Sequence, residues 1–311
     1  ANANTNKTLD EEAPEIMGLT YQSETKLEYA QYFKIYHYDQ GITLLEVDMT
    51  KDTARDPEKL AKQAKKDSKK TEKASKKSKK SKKNKKSDSK NSKSKLTAVE
   101  EEAGTSSDDG NGVSESELAT KLYKGNIVKY LLVPENVEVP VGLDQEMIIV
   151  KMPNNKAYAG TNDILKMMDK LGLTDKVSAV GMKKKDCKLS SVADKIKTGK
   201  DAEVMYAGKT TNLKMKTLVK QDTNLVILPE NILPRENQKL SVSKQTKRYE
   251  KLTEKLALLG ITAVVDRSAD EKEELAKAEW IKVYGVLFGC EDQANKMFVQ
   301  TVKQKESQEK K

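Results

Sequence analysis

The spacing of apolar positions changes along the chain. Residues 32–38, YFKIYHY, are rich in aromatic and β-branched types, and so are residues 42–47, ITLLEV. The two runs flank Asp39-Gln40-Gly41, which predicts a β-hairpin turning at the glycine. A further strand-like run, IVKYLLV at 127–133, stops at Pro134. From 147 onward, short apolar runs alternate with helical periods. MIIV (147–150), VSAVG (177–181), VMYAG (204–208), LVIL (225–228) and ITAVV (261–265) predict strands. Between them, Ile164, Leu165, Met167, Met168 and Leu171 keep a 3.6-residue period, behind a cap at Thr161 or Asn162 and before a stop at Gly172. Short helices are expected near 192–199 and 213–219, a longer one over 249–259, and one long helix over 271–303, bent near Gly285 and Gly289. Strands alternating with helices predict an α/β fold with a mainly parallel sheet flanked by helices, preceded by a β-hairpin and ending in a long helix.

One stretch, 51–120, has neither period. Lys62 and Lys95 bound a tract with 17 Lys against Asp67, Glu72 and Asp88. Of the net charge of +10, this tract carries +14, so the remainder is mildly acidic at −4. Residues 100–117 then carry seven acids and no Lys or Arg. Without an apolar stripe or an aromatic ring the tract cannot offset the entropy of ordering it. Disorder over 51–120 is therefore expected, as an insertion in a surface loop between two strands, where closure cost grows slowly with length. The division that follows is a flexible segment over 1–20, one α/β lobe over 21–50 and 121–304, the insertion, and a charged tail over 305–311. The Lys62–Lys95 tract is also where an anionic cell-envelope polymer would be held. With no aromatics interleaved among the lysines and an acidic body, no nucleic-acid partner is expected.

Candidate chemistry is sparse. Two cysteines, Cys187 and Cys290, exclude a disulfide scaffold and a four-cysteine zinc site. The single His37, among aromatics, is read as a packed or surface residue. Gly208-Lys209-Thr210 has the ending of a phosphate loop, but Glu203 stands where the first glycine is needed. The carboxylate pairs Asp270-Glu271 and Glu273-Glu274 read as a solvated helix face. No catalytic constellation emerges, no cofactor is implied, and a binding protein rather than an enzyme is expected. No run of apolar residues is long enough for a transmembrane helix. The chain opens Ala1-Asn2-Ala3, which reads as a processed or recombinant form, with any export signal removed.

Six segments together resemble one family. They are YAQYFKIYHYDQGITLLEV (29–47), KYLLVPENVEVPVGLDQEMIIVKMP (129–153), YAGTNDILKMMDKLGLTDKVSAVG (158–181), AEVMYAGKTTN (202–212), KLTEKLALLGITAVVDRS (251–268) and AEWIKVYGVLFGCEDQANKMF (278–298). In order and spacing they resemble the substrate-binding proteins of ABC importers for ferric siderophores, haem and cobalamin, over 29–50 and 121–300. The resemblance implies the N-terminal lobe of a periplasmic-binding-protein-like fold, without the family's second lobe. It further implies an extracytoplasmic, lipid-anchored receptor, an ABC permease as partner, and a metal chelate or cobalamin-like molecule as ligand. Two departures mark the ligand loops. Residues 268–274, SADEKEE, lack the His and Pro of the family, and no Pro-Asp pair follows Lys209. The alternative function is a surface protein that keeps the lobe and holds anionic polymer through its lysines.

In open α/β sheets, ligands sit at the carboxyl ends of the strands. The loops there contain Met182, Lys183, Lys209, Thr210, Asn212, Pro229, Glu230, Asn231, Arg267 and Ser268, the expected ligand-binding set. Lys183, Lys209 and Arg267 are expected to make this edge positive, suited to an anionic chelate. By resemblance, an acidic residue past the strand at 225–228 docks the permease, with Glu236 first and Glu230 second.

Overall fold

A computed structural model of the chain describes residues 9–10, 12–49, 127–143 and 147–311, with a few positions between 62 and 73. The rest of the 51–120 stretch, where disorder is expected, lies outside the described residues. The positions described between 62 and 73, such as Lys65 and Asp67, are helical.

Among the described residues, two five-stranded sheets form the frame. The first is mixed and follows chain order: β1 (Tyr21–Glu24), β2 (Phe33–Tyr38), β3 (Thr43–Asp48), β4 (Ile127–Val133) and β5 (Met147–Lys151). Its first three pairings are antiparallel, and β4–β5 is parallel. The expected hairpin is β2–β3, with Gly41 at its turn. The 49–126 connection joins β3 to β4, whose ends meet at Asp48 and Ile127.

Period two divides this sheet into two faces. Phe33, Ile35, Leu45, Val47, Tyr130 and Leu132 point to the main core. Tyr36, Tyr38, Leu44, Leu131 and Val133 point the other way, into a second core closed by Ile16, Leu19 and Val139. Within the N-terminal segment expected to be flexible, Leu9 and Ile16 are buried, while Met17 is exposed. Two apolar faces on one sheet need two covers, and residues 9–20 supply part of one.

The second sheet is entirely parallel: β6 (Ala157–Ala159), β7 (Val177–Val180), β8 (Met205–Tyr206), β9 (Leu225–Pro229) and β10 (Thr262–Asp266), in the order β10-β9-β6-β7-β8. The order reverses between β6 and β9. From residue 147 onward the α-helices are α1 (Asn162–Lys170), α2 (Ser190–Ala193), α3 (Met215–Lys220), α4 (Val242–Leu258), α5 (Glu274–Glu279), α6 (Ile281–Leu287) and α7 (Glu291–Glu309). Thr161 caps α1 by accepting from the Ile164 N–H. Gly172 and Gly260, both at positive φ, end α1 and α4. The next residues, Leu173 and Ile261, bond back to the Met168 and Leu256 carbonyls. Only glycine takes that left-handed turn without strain.

The long helix expected over 271–303 is three helices. The chain breaks at Trp280 and again at Gly289, φ +72°. The breaks fold α6 against α7, where Gly285 lies so near Ala294 that a Cβ would come within 2.6 Å of it. The charged tail continues α7 to Glu309. No helix among the described residues is long and apolar enough to cross a membrane.

Beneath the N-terminal segment lies a polar cluster. Glu46 is fully buried on β3, 3.7 Å from Lys129, and accepts from the Asp10 N–H at 3.3 Å. Lys129 pairs with Asp10 at 3.0 Å, and Lys34 and Tyr36 donate to the Asp10 carbonyl. Burial, then the neighbouring Asp10, pushes the Glu46 carboxyl up to about 8. Asp10 moves down: burial opposes this, and bonds with Glu46 and Lys129 outweigh it. The folded protein thus keeps a proton on Glu46 that the unfolded chain releases above the ordinary carboxylate range, so stability falls as pH rises from about 5 to 8. In Glu46→Gln this fall should flatten, and at pH 8 the variant should be more stable by about 1–2 kcal/mol, a few degrees in Tm. Thermal melts across this range check it; an unchanged pH slope contradicts it.

Candidate functional site

Parallel strands put the loops after β6, β7, β8, β9 and β10 along one carboxyl edge. The edge is built by close approach. A Cβ on Gly181 would lie 2.3 Å from the Gly160 carbonyl oxygen and 2.6 Å from the Tyr158 hydroxyl. The absent side chains let the ends of β6 and β7 meet while Tyr158 donates to the Gly208 carbonyl at 3.0 Å. On the other side of Gly160, the Thr210 methyl and Pro229 ring fill the point where strand order reverses.

Met182 and Lys183 follow β7, with Met182 half-buried and Lys183 exposed. The loop they open is pinned by Asn162, which donates to the Asp186 carbonyl at 3.0 Å and accepts from the Lys188 N–H at 2.8 Å. Lys209 and Asn212 are exposed on the turn after β8, and Thr210 points inward. Pro229 is buried as the last residue of β9. Glu230 is half-buried and Asn231 exposed in a 3-10 turn that packs on the corresponding turn at Ser268–Asp270. These loops therefore share the edge, although Pro229 and Thr210 form its floor rather than a surface. Glu236 is half-buried beyond Pro234, on a loop whose backbone is held by the Gln245 amide at Arg235 and Leu240.

Arg267 departs from its expected role. Its side chain is fully buried. Nε donates to Asp270 at 2.9 Å, Nη1 donates to the Asp48 carbonyl, and the guanidinium stacks 4.4 Å from the centre of the Tyr32 ring. A buried guanidinium must be paired, and these groups supply the pairing. The positive charge of the edge rests on Lys183 and Lys209 with Lys184 and Lys185, against the exposed Asp163 and Asp186.

Glu271 also departs from the solvated face expected of it. It is buried and accepts from the Gln31 and Tyr32 N–H groups at 3.0 Å each and from the Trp280 indole at 3.1 Å. Burial pushes its carboxyl up, while these donors and Arg267 pull it back. Glu279, fully buried, accepts from the Glu28, Tyr29 and Ala30 N–H groups and from Lys282. Sequence reasoning missed both; the run of apolar residues around Glu279-Trp280-Ile281 was the signal that this acid sits inside. Asp266, at the end of β10, is buried and bonded to the Tyr284 hydroxyl, and burial raises it.

His37 lies away from the edge, 3.0 Å from Glu291 and 2.8 Å from the Thr25 hydroxyl. Burial works against the Glu291 charge, but bonds from His37 and Thr25 outweigh it and hold the carboxyl below its usual range. Cys187 and Cys290 are both free thiols and half-buried. Among the described residues, no group of three or more His, Cys, Asp or Glu side chains is placed to hold a metal ion. A cavity of about 790 Å³ lies at the α6–α7 corner, lined by Met152, Phe288, Cys290 and Glu291, and includes none of the expected site residues.

No protein-family model matches the sequence, and no curated protein matches it. Solved structures show partial similarity. A possible iron-binding (periplasmic solute-binding) protein from Staphylococcus epidermidis aligns at 16% identity and TM-score 0.34, covering 47% of each chain. A periplasmic binding protein from Veillonella parvula aligns at 14% and 0.37, over 58% of this chain and 49% of the other. A periplasmic heme binding protein from Pseudomonas aeruginosa aligns at 13% and 0.33, over 49% and 44%. This chain thus spans about half the length of the structures it matches, and similarities this weak carry no part of the functional argument.

If Arg267 is structural, its loss is felt in stability. Arg267→Ala should lower unfolding free energy by about 3 kcal/mol, since it leaves Asp270 and the Asp48 carbonyl without their buried partner. Urea unfolding checks this; parent-like stability contradicts it.

Proposed function

We propose that this chain is the solute-binding lobe of a receptor that captures an iron chelate, haem or a cobalamin-like molecule for an ABC importer outside the cytoplasm. The observation that carries the reading is the carboxyl edge of the parallel sheet. Exposed Lys183, Lys209, Asn212 and Asn231, with half-buried Met182, Glu230 and Ser268, lie there on loops braced by Asn162 and by the β6–β7 contact. A rigid scaffold with polar groups on its loops is the usual construction of a ligand site. The six sequence segments support the same reading, since three of them supply strands β6, β7, β8 and β10 of the parallel sheet.

Lys183 and Lys209 are the ammonium groups of the expected set that remain exposed, and they would meet the carboxylates of an anionic chelate. The family's second lobe would close over this edge. Glu236, with Glu230 beside the same strand end, is the proposed contact to an arginine pocket of the permease, where a carboxylate fixes orientation and speeds encounter.

Chemical-shift mapping with ferric chelates, haem and cobalamin tests the site. Perturbations are expected in the loops after β7, β8 and β9, with roughly tenfold weaker binding of an anionic chelate in Lys183→Glu with Lys209→Glu, about 1.4 kcal/mol. Perturbations confined to the amino ends of the strands, or an unchanged Kd in the double variant, contradict it.

A further inference from the structure

The two edges of the first sheet are built differently. β1, Tyr21-Gln22-Ser23-Glu24, is exposed along its whole length, is polar after Tyr21, and shifts register against β2 between Tyr21 and Ser23. Polar side chains and a broken register keep an open edge from pairing with another chain. β5, at the opposite edge, reads Met147-Ile148-Ile149-Val150-Lys151 and has neither device. Its register against β4 is unbroken from Met147 to Lys151, no proline interrupts it, and its one charge, Lys151, stands at its end. Ile148 is 38% exposed.

The hydrogen-bonding backbone of β5 is used on one side only. Met152, just past the strand, donates to the Val133 carbonyl at 2.9 Å. By period two, Val150 and Ile148 also turn their N–H and C=O groups to β4, and Met147, Ile149 and Lys151 turn theirs outward. Among the described residues, these outward donors and acceptors have no partner. A largely apolar hollow of about 440 Å³ opens beside the same edge, lined by Ile148, Ile149, Tyr249, Ala257 and Ile261 among others.

We propose that β5 is an interface between two copies of this chain, the strand of one pairing antiparallel with the same strand of the other. The two-fold axis lies at Ile149. There Ile149 faces Ile149 of the second copy, and Met147 faces Lys151 on either side of the axis. These are the residues whose N–H and C=O groups point outward, so each free donor meets a free acceptor. Ile148 then faces Val150 of the second copy at a position without ladder bonds, where side chains come closest, about 4.5 Å between Cα atoms. The two Lys151 fall at opposite ends, about 13 Å apart along the strands, so like charges are not brought together. Because β5 is apolar up to Lys151, the strand is its own complement, and each copy carries the edge that the other lacks. The pairing does not rest on chelate binding at the carboxyl edge of the second sheet.

The test is sedimentation velocity of the full chain from about 1 to 300 μM, a range that brackets a micromolar Kd, joined to hydrogen exchange at both ends of the range. The mass should pass from monomer to dimer. The Ile149 and Lys151 amides should exchange about tenfold more slowly at the high concentration, while those of β1 keep their rates. Ile149→Pro removes a donor that has no partner within its own chain but makes both central bonds of the dimer. It should raise the dimer Kd about thirtyfold or more. Ile148→Lys sets a charge against Val150 of the second copy and should weaken the dimer as well, which decides the matter if the proline variant does not fold. A monomer mass at every concentration overturns the proposal. So does a dimer that the folded variants leave intact, or protection of Ile149 and Lys151 that does not change with concentration, the mark of an edge covered within one chain.

Discussion

Five consecutive backbone N–H groups, from Glu28 to Tyr32, end on two buried side chains about 240–250 residues away in sequence. Glu279 takes the first three and Glu271 the last two. The segment between β1 and β2 has no ladder partner for these donors, and a buried donor left unmade costs about 1–3 kcal/mol. Neighbouring contacts extend the same seam. Lys282 donates to the Lys26 carbonyl at 2.9 Å, Thr25 donates to Glu291 at 2.6 Å, Phe33 meets Trp280 edge-on at 5.0 Å, and Arg267 covers Tyr32. The strap from Thr25 to Tyr32 is thereby held by side chains from the end of β10 to the start of α7, and it ties the first sheet to the second.

This seam shapes the candidate site. Arg267 leaves the β10 loop as a structural group, because the strap and Asp48 take its donors and its face. The carboxyl edge keeps its lysines, asparagines and half-buried Glu230, while Gly181, Gly160 and Tyr158 hold the strand ends together beneath them. Structural charge therefore lies inside, and the charge available to a ligand lies on loops braced from below.

The sequence revealed those parts of the fold that depend on local chemistry. Thr161 and Gly172 bound α1, Gly260 ends α4, and the short apolar runs became the parallel strands, because caps, stops and buried strands are written in neighbouring residues. What it concealed depends on burial of polar groups. The first turns of α4 contain Ser243, Gln245 and Thr246, which look like a loop but are buried, with Gln245 and Thr246 bonded to backbone carbonyls. Glu46, Glu271, Glu279 and Arg267 look like surface charges until distant partners are known. At the site, the loops that share an edge follow from alternating strands and helices. Which side chains remain exposed there does not, since Arg267 and Lys183 look alike in one dimension.

Two carboxylates hold the strap. Native-state hydrogen exchange of Glu279→Ala tests it most directly. The Glu28, Tyr29 and Ala30 amides should exchange about 100-fold faster than in the parent, the counterpart of about 2.7 kcal/mol, while the β9 amides are affected far less. Parent-like protection of these three amides would contradict it.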